Sequence, residues 1–313
     1  MSLLSGQIEQ VVITISIDTE CDHDPNWVRS NPISFASIHE GLPNRLQPAF
    51  SEVGAIPSYL LTVEVLEDTQ CLDTLRSLSG AYEYGTHLHA AFIEPEKKFY
   101  DYAGVDSPDF QSSYAPQVEF EKLKNLTLLF ESGLGYSPTS FRAGRYGASI
   151  DSIRSLQRLG YKVDTSVTPY LRWSEPNGSV DFRKAPEQPY FPNDTDICVA
   201  AAAADNRLLE VPVTVKPRLF RDPRWFRPWF ASVEQMKDIF RYQLKRHNDR
   251  RVLSINMMFH SMEVIEEASP YPQTRGDVER FLDDMKSTLQ WCAEEGATFS
   301  TLSDMHDLFS TAQ

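Results

Sequence analysis

Cysteine, basic charge and long apolar runs are all scarce in this chain, and each shortage removes a class of protein. The four cysteines (Cys21, Cys71, Cys198, Cys292) are scattered, with no CxxC pair and no disulfide-rich spacing. Free thiols in a reducing compartment are therefore expected. Lys and Arg number 30 against 44 Asp and Glu, a net charge of −14. That balance argues against nucleic acid or an anionic membrane as partner, because phosphate binding needs a concentrated basic face. No apolar run approaches the roughly 20 residues that a membrane span requires. The first ten residues carry no basic-then-apolar signal segment, so the expected location is the cytoplasm. What remains is ordinary for a globular protein with a sizeable core: 313 residues, 41% hydrophobic and 24% charged. No repeat, low-complexity tract or composition break divides the chain, so one domain over residues 1–313 is expected.

The patterning alternates between strand and helix. Val11 to Asp18 puts Ile13, Ile15 and Ile17 on one face, with Thr14, Ser16 and Asp18 on the other. Further strands are expected at Ile56 to Val63, at the stretch ending in His87 and His89, at Ser140 to Arg142, Tyr161 to Ser166, Leu208 to Thr214, Leu253 to His260 and Ala297 to Leu302. Helical spacing marks Glu67–Ser79, Gln117–Ser132, the segment from Ile150 to Leu159, the segment from Val233 to Phe240, Gly276–Glu295 and a last helix opened by Ser303. About eight strands, most followed by a helix, predict a parallel α/β sheet whose length suits closure into a barrel-like form. Residues 90–116 and 167–206 read as long loops, the second with an apolar alanine run. Long loops in compact domains are often functional. Arg218–Phe230 packs four Arg and five aromatics into thirteen positions. A lid, a subunit contact giving a homodimer, and a buried loop are all open for it.

The stretch Gly85-Thr86-His87-Leu88-His89 carries the sharpest chemistry. Residues two apart on a strand share a face, so the two imidazoles project together and form a divalent-metal pincer that lacks only a carboxylate. A pair of hydrogen-bonded histidines is the competing reading of this motif alone. In a parallel barrel all C-terminal strand ends meet on one face. There the pincer would join Asp18-Thr19-Glu20, Arg142 with Arg145, Asp164 and His260.

Taken in order, Ser16-Ile17-Asp18-Thr19-Glu20, Gly85 to His89, Phe141-Arg142-Ala143-Gly144-Arg145-Tyr146-Gly147, Asp164-Thr165-Ser166 and Phe259-His260-Ser261 resemble the motifs of the NodB-homology polysaccharide deacetylases (carbohydrate esterase family four). The likeness runs from about residue 11 to 302 and is nearest a WalW-like sub-branch. It implies a single distorted (β/α) barrel of the polysaccharide-deacetylase type with long loops at the C-terminal strand face. It also implies metal-dependent removal of acetyl groups from N-acetylated sugars, or hydrolysis of a related amide.

By this resemblance Asp18 is the general base, Arg142 holds it, His260 is the catalytic acid and Asp164 orients His260. His87 is a metal ligand. The sequence departs from the usual pattern at three positions. Thr19 stands where the second acid usually does, which moves that ligand role to Glu20, with Asp22 and Asp24 as rivals. Ala91 stands four residues after His87, which moves the second imidazole to His89. Gly144 stands at the usual proline. Zinc is the first choice of metal, with cobalt, nickel or manganese as alternatives. Two other readings stay open: hydrolysis of a small linear or cyclic amide in the cytoplasm, and an inactive barrel that binds a carbohydrate or a protein.

Overall fold

In the computed structural model, residues 7–106, 109–202 and 208–312 are described. Its strands are β1 (Gln10–Thr19), β2 (Pro57–Leu61), β3 (Glu83–Leu88), β4 (Ser140–Ala143), β5 (Val163–Asp164), β6 (Arg172–Glu175), β7 (Gly178–Asp181), β8 (Leu209–Glu210), β9 (Val215–Arg218), β10 (Arg221–Trp225), β11 (Val252–His260) and β12 (Ala297–Phe299). Seven pair in parallel in the order β11-β1-β2-β3-β4-β5-β8, a curled half-barrel, and β12 joins β1 on the edge that β2 uses further along. Helices flank the sheet: α1 (Gln47–Val53), α2 (Val63–Glu67), α3 (Thr69–Ser77), α4 (Pro116–Leu134), α5 (Ile150–Arg158), α6 (Val233–Arg246), α7 (Arg275–Glu294) and α8 (Leu302–Ala312). None of the described helices is long and apolar enough to cross a membrane.

The period-2 pattern of β1 separates the layers. Val11, Ile13, Ile15 and Ile17 join the main apolar cluster with Leu42, Phe50, Phe281 and Leu289. Thr14, Ser16 and Asp18 turn inward and are buried among polar groups. Ser16 Oγ donates to Asn256 Oδ1 (2.9 Å), Asn256 Nδ2 to Thr165 Oγ1 (2.8 Å), and Thr165 Oγ1 to the Val211 carbonyl (2.7 Å). Buried polar groups are costly unless bonded, so this satisfied network makes a polar interior tolerable beneath the site.

The half-barrel stays open between β8 and β11, and side chains bridge the gap. Gln188 exchanges bonds with the backbone of Ser254 (2.9 and 3.0 Å). Thr214 Oγ1 accepts from the Asn256 N–H (2.9 Å). Local signals set the helix ends. Pro116 sits in the first turn of α4, and Gly135 closes it at φ 83°, a backbone conformation glycine adopts freely. Ser149, Ser232 and Thr274 cap α5, α6 and α7.

Several segments differ from expectation. β5 and β8 are two residues each, because the chain beyond them bonds to side chains: the Thr165 carbonyl accepts from Arg142 Nε (3.0 Å), and the Val167 N–H donates to Glu210 (3.0 Å). The stretch 167–206, expected to be irregular, contains the antiparallel β6–β7 hairpin. Residues 203–206 of it, with the end of the alanine run, lie outside the described residues, as do 107–108 of the first long loop and 1–6 of the N-terminal stretch. Most of Arg218–Phe230 belongs to the β9–β10 hairpin and the turn after it.

Candidate active site

Four strands deliver the site. Asp18 and His260 are register partners on β1 and β11, as are His87 and Arg142 on β3 and β4. Register partners on adjacent parallel strands point to one face. Glu20 and His89 each lie one residue past their strand, two beyond Asp18 and His87, and turn to that same face. The structure therefore brings Asp18, Glu20, His87, His89, Arg142 and His260 together.

Glu20 sits between the imidazoles, Oε1 3.5 Å from His87 Nε2 and Oε2 3.2 Å from His89 Nε2. The two rings stand edge to face, centroids 4.8 Å apart. His87 Nδ1 donates to the Arg142 carbonyl at 3.0 Å. That bond leaves Nε2 facing the acids, the orientation that metal-binding histidines use. Neither ring nitrogen of His89 makes a hydrogen bond of good geometry, although both atoms are buried. Burial pushes the His89 imidazole below its ordinary value, against the pull of Glu20. Burial opposes charge on Glu20, yet His89 and His87 outweigh it and hold the carboxyl well below the ordinary range. One ligand atom from each of Glu20, His87 and His89 lies within 4.8 Å of the other two. Two imidazole nitrogens and a carboxylate, one ring without a well-formed hydrogen bond, fit a divalent cation.

The rivals for the acidic position are occupied elsewhere. Asp22 accepts from the Ala36 N–H (2.7 Å) and the Ser37 N–H (3.0 Å), and Asp24 caps its own turn through Asn26 and Val28. Thr19 donates to the Ile17 carbonyl (3.0 Å). Two of the departures from the usual pattern are physically linked. A Cβ on Gly144 would lie 2.6 Å from the Leu88 carbonyl oxygen and 2.9 Å from His89 Nδ1. With no side chain at 144, the ring of His89 can fill that space.

Asp18 is held from below. Arg142 Nη1 donates to its Oδ1 at 2.6 Å, and Arg142 is fully buried. Burial works against ionisation of Asp18, but Arg142, with His87 and His260, overcomes it and keeps the carboxyl below its ordinary range. Asp18 Oδ2 lies 3.8 Å from both His87 Nε2 and His260 Nε2.

The carboxylate on His260 is a correction. Sequence motifs gave that task to Asp164, but Asp164 is buried lower in the interior, where Ser166 Oγ donates to it (2.6 Å) and Glu210 is its neighbour. Burial, with Asp164 close by, pushes the Glu210 carboxyl well up. In the described structure Glu263 Oε1 meets His260 Nδ1 at 2.8 Å and accepts from the His260 N–H at 3.0 Å. Arg227 in turn donates to Glu263 and lies 3.3 Å from His260 Nδ1. Sequence reasoning missed both Glu263 and Arg227. The available signal was an acid three residues beyond a strand-end histidine. Arg29 was missed too. Buried behind the site, its Nη2 is 3.7 Å from Glu20 and 3.6 Å from Glu64, with the guanidinium 4.0 Å above the Phe92 ring.

The site opens into a cavity of about 520 Å³. Trp225, Arg227 and Phe230 line it, so the aromatic–arginine segment serves as a pocket wall, and nothing in the described structure supports a homodimer through it.

No family model and no curated protein matches this chain. Solved structures do. A protein described as a polysaccharide deacetylase from Mycobacterium smegmatis matches with a TM-score of 0.56 at 13% identity, over 97% of this chain and 91% of that one. A PuuE allantoinase gives 0.58 at 12% identity, over 100% and 94%. A glycoside hydrolase/deacetylase from Parabacteroides distasonis gives 0.56 at 11%, over 98% and 72%. The chain has the fold of the NodB-homology polysaccharide deacetylases. The WalW-like placement rests on the sequence resemblance alone.

Proposed function

We propose that this chain is a single-domain, metal-dependent hydrolase that removes acetyl groups from N-acetylated sugars. The observation that carries the reading is the convergence of Glu20, His87 and His89 beside an ionised, arginine-held Asp18. Glu20, His87 and His89 would hold the cation, with zinc the first choice and cobalt, nickel or manganese as alternatives. When bound, such an ion polarises the acyl oxygen and lowers the pKa of water at the site.

The chain's own groups do the rest. Asp18 Oδ2 takes a proton from the attacking water, and Arg142 keeps Asp18 ionised at neutral pH. The water oxygen adds to the acetamide carbon. When the C–N bond breaks, His260 Nε2 gives a proton to the departing amine, and acetate and the free amino sugar are the products. Glu263 holds His260 in orientation through Nδ1. Arg227 fixes Glu263. Acid–base help of this kind contributes roughly 100- to 10,000-fold.

The intact donor set argues against a barrel that only binds, and no feature of the site favours a small linear or cyclic amide over an acetylated sugar. The test is acetate release from N-acetylglucosamine and its oligomers by the zinc-loaded chain, with Asp18→Asn as control. No release above the control would overturn the reading.

A further inference from the structure

Only the second half of the aromatic–arginine segment lines the pocket. The first half forms the tip of the β9–β10 hairpin and lies outside it. The two strands pair only with each other, and the turn residues Leu219 and Phe220 join the register partners Arg218 and Arg221. Leu219 is 81% exposed and Phe220 95%, the barest large apolar side chains among the described residues. Two-residue hairpin turns favour Asn, Asp and Gly, and Phe220 holds φ 56°, a conformation that suits glycine. The turn thus combines backbone strain with apolar area left in water. Two local rules broken at one place point to a functional role.

The tip stands on basic ground. The hairpin carries Lys216, Arg218, Arg221 and Arg224 against one acid, Asp222. α6 packs beside it, with Lys216 Nζ 2.7 Å from Asp238 and 5.2 Å from the centre of the Tyr242 ring. Arg241, Lys245 and Arg246 recur at helical spacing about that same outward face and are exposed. Residues 215–246 hold nine of the 30 Lys and Arg, of which only Arg227 is buried, and three of the 44 Asp and Glu. Salt limits the reach of a charge to roughly 8 Å at physiological ionic strength. An approaching surface therefore meets this face rather than the net charge of −14. The concentrated basic face that phosphate binding needs, and that the overall balance argues against, exists here locally. A dissolved polyanion would offer Leu219 and Phe220 no apolar phase to enter. A two-residue tip is also too small for the core of a protein interface, which buries about 800 Å² per partner. A bilayer surface supplies both phosphates and, a few ångströms deeper, acyl chains.

We propose that the β9–β10 hairpin docks this chain on an anionic lipid surface. Leu219 and Phe220 enter the boundary between headgroups and acyl chains, and Arg218, Arg221 and Arg224 sit among the lipid phosphates. The contact is peripheral and reversible, because two apolar side chains and a few cations fall far short of a spanning anchor. The strand that leaves the tip reaches Trp225 on the cavity wall after roughly 17 Å of extended chain. A docked hairpin therefore holds the cavity near the surface.

Vesicle sedimentation of the full chain is the test, with vesicles of phosphatidylcholine alone and of phosphatidylcholine mixed with phosphatidylglycerol. Binding to the mixed vesicles should be at least about tenfold tighter and should weaken as salt is raised. Leu219→Ser combined with Phe220→Ser should weaken it by about tenfold or more. Arg218→Gln, Arg221→Gln and Arg224→Gln together should weaken it at least as much and flatten its salt dependence. Circular dichroism checks the fold of each variant. Tyr100→Ser, which removes another bare ring (75% exposed), should bind as the wild type does. No binding to the mixed vesicles, equal binding to both kinds, or undiminished binding by the folded Leu219/Phe220 variant would overturn the proposal. Retention on heparin without vesicle binding would assign the basic face to a dissolved polyanion and overturn the lipid surface as well. None of these outcomes bears on the hydrolase reading.

Discussion

Glu263 Oε1 lies 2.8 Å from His260 Nδ1, one turn of a short 3-10 helix beyond the strand that carries the histidine. The contact is local in sequence, buried on the glutamate side, and reinforced by Arg227. It makes Glu263 the group that orients the proton donor. Glu263→Gln should leave metal content unchanged and lower kcat by about 10- to 100-fold. Asp164→Asn, which alters contacts with Ser166 and the buried Glu210 and none with His260, should lower kcat less than tenfold. Steady-state kinetics on both variants decides between the two acids.

Asp18→Asn should keep the metal and lower turnover by at least about 100-fold, since the proton acceptor is gone. It should also lower stability, because Arg142 stays buried without its counter-charge. Leaving one partner of a buried pair costs on the order of 3–5 kcal/mol. Turnover close to wild type in a variant of confirmed metal content would remove Asp18 from the role of base.

Gly144→Ala tests the linked departures. The added methyl would crowd His89 Nδ1 and the Leu88 carbonyl, so metal affinity should fall by about tenfold or more through displacement of the ring. Titration of the apo chain with zinc checks it, with circular dichroism as the control for folding. Unchanged affinity would mean that His89 does not depend on the space at 144.

Glu119 gives a prediction remote from the site. Burial raises its carboxyl from the ordinary 4.5 to about 7, against the bonds it accepts from Gln111 and Ser152. Between those two values the folded chain keeps a proton that the unfolded chain has released. Stability therefore falls as pH rises through that window and stays lower above it. The shift corresponds to roughly 3 kcal/mol. Glu119→Gln should flatten this part of the profile and stabilise the chain at pH 8 but hardly at pH 4.5. Urea denaturation at the two pH values reads the difference. An unchanged slope would contradict it.

The alternation Ile13-Ile15-Ile17 against Thr14-Ser16-Asp18 was legible because one face packs on apolar helices and the other on a polar interior. The same period foretold that His87 and His89 share a face. Other features left no periodic trace. β5 and β8 are two-residue strands whose extensions bond to side chains, so the apolar runs around them overstate their length. Glu263 left only a faint trace, because its partner lies three residues away in a turn, a spacing shared by many unrelated pairs. Arg29 reaches Glu20 and Glu64 from an irregular loop, and no pattern of neighbours announces such a contact.

The central claim is that Glu20, His87 and His89 together hold one divalent cation. Elemental analysis of the chain, purified without chelator and again after equilibration with zinc and desalting, tests it most directly beside His89→Ala of matched fold. The account predicts about one ion per wild-type chain and a loss of at least about tenfold in the variant. A wild-type chain that retains no metal, or a variant that retains as much as the wild type, would contradict it.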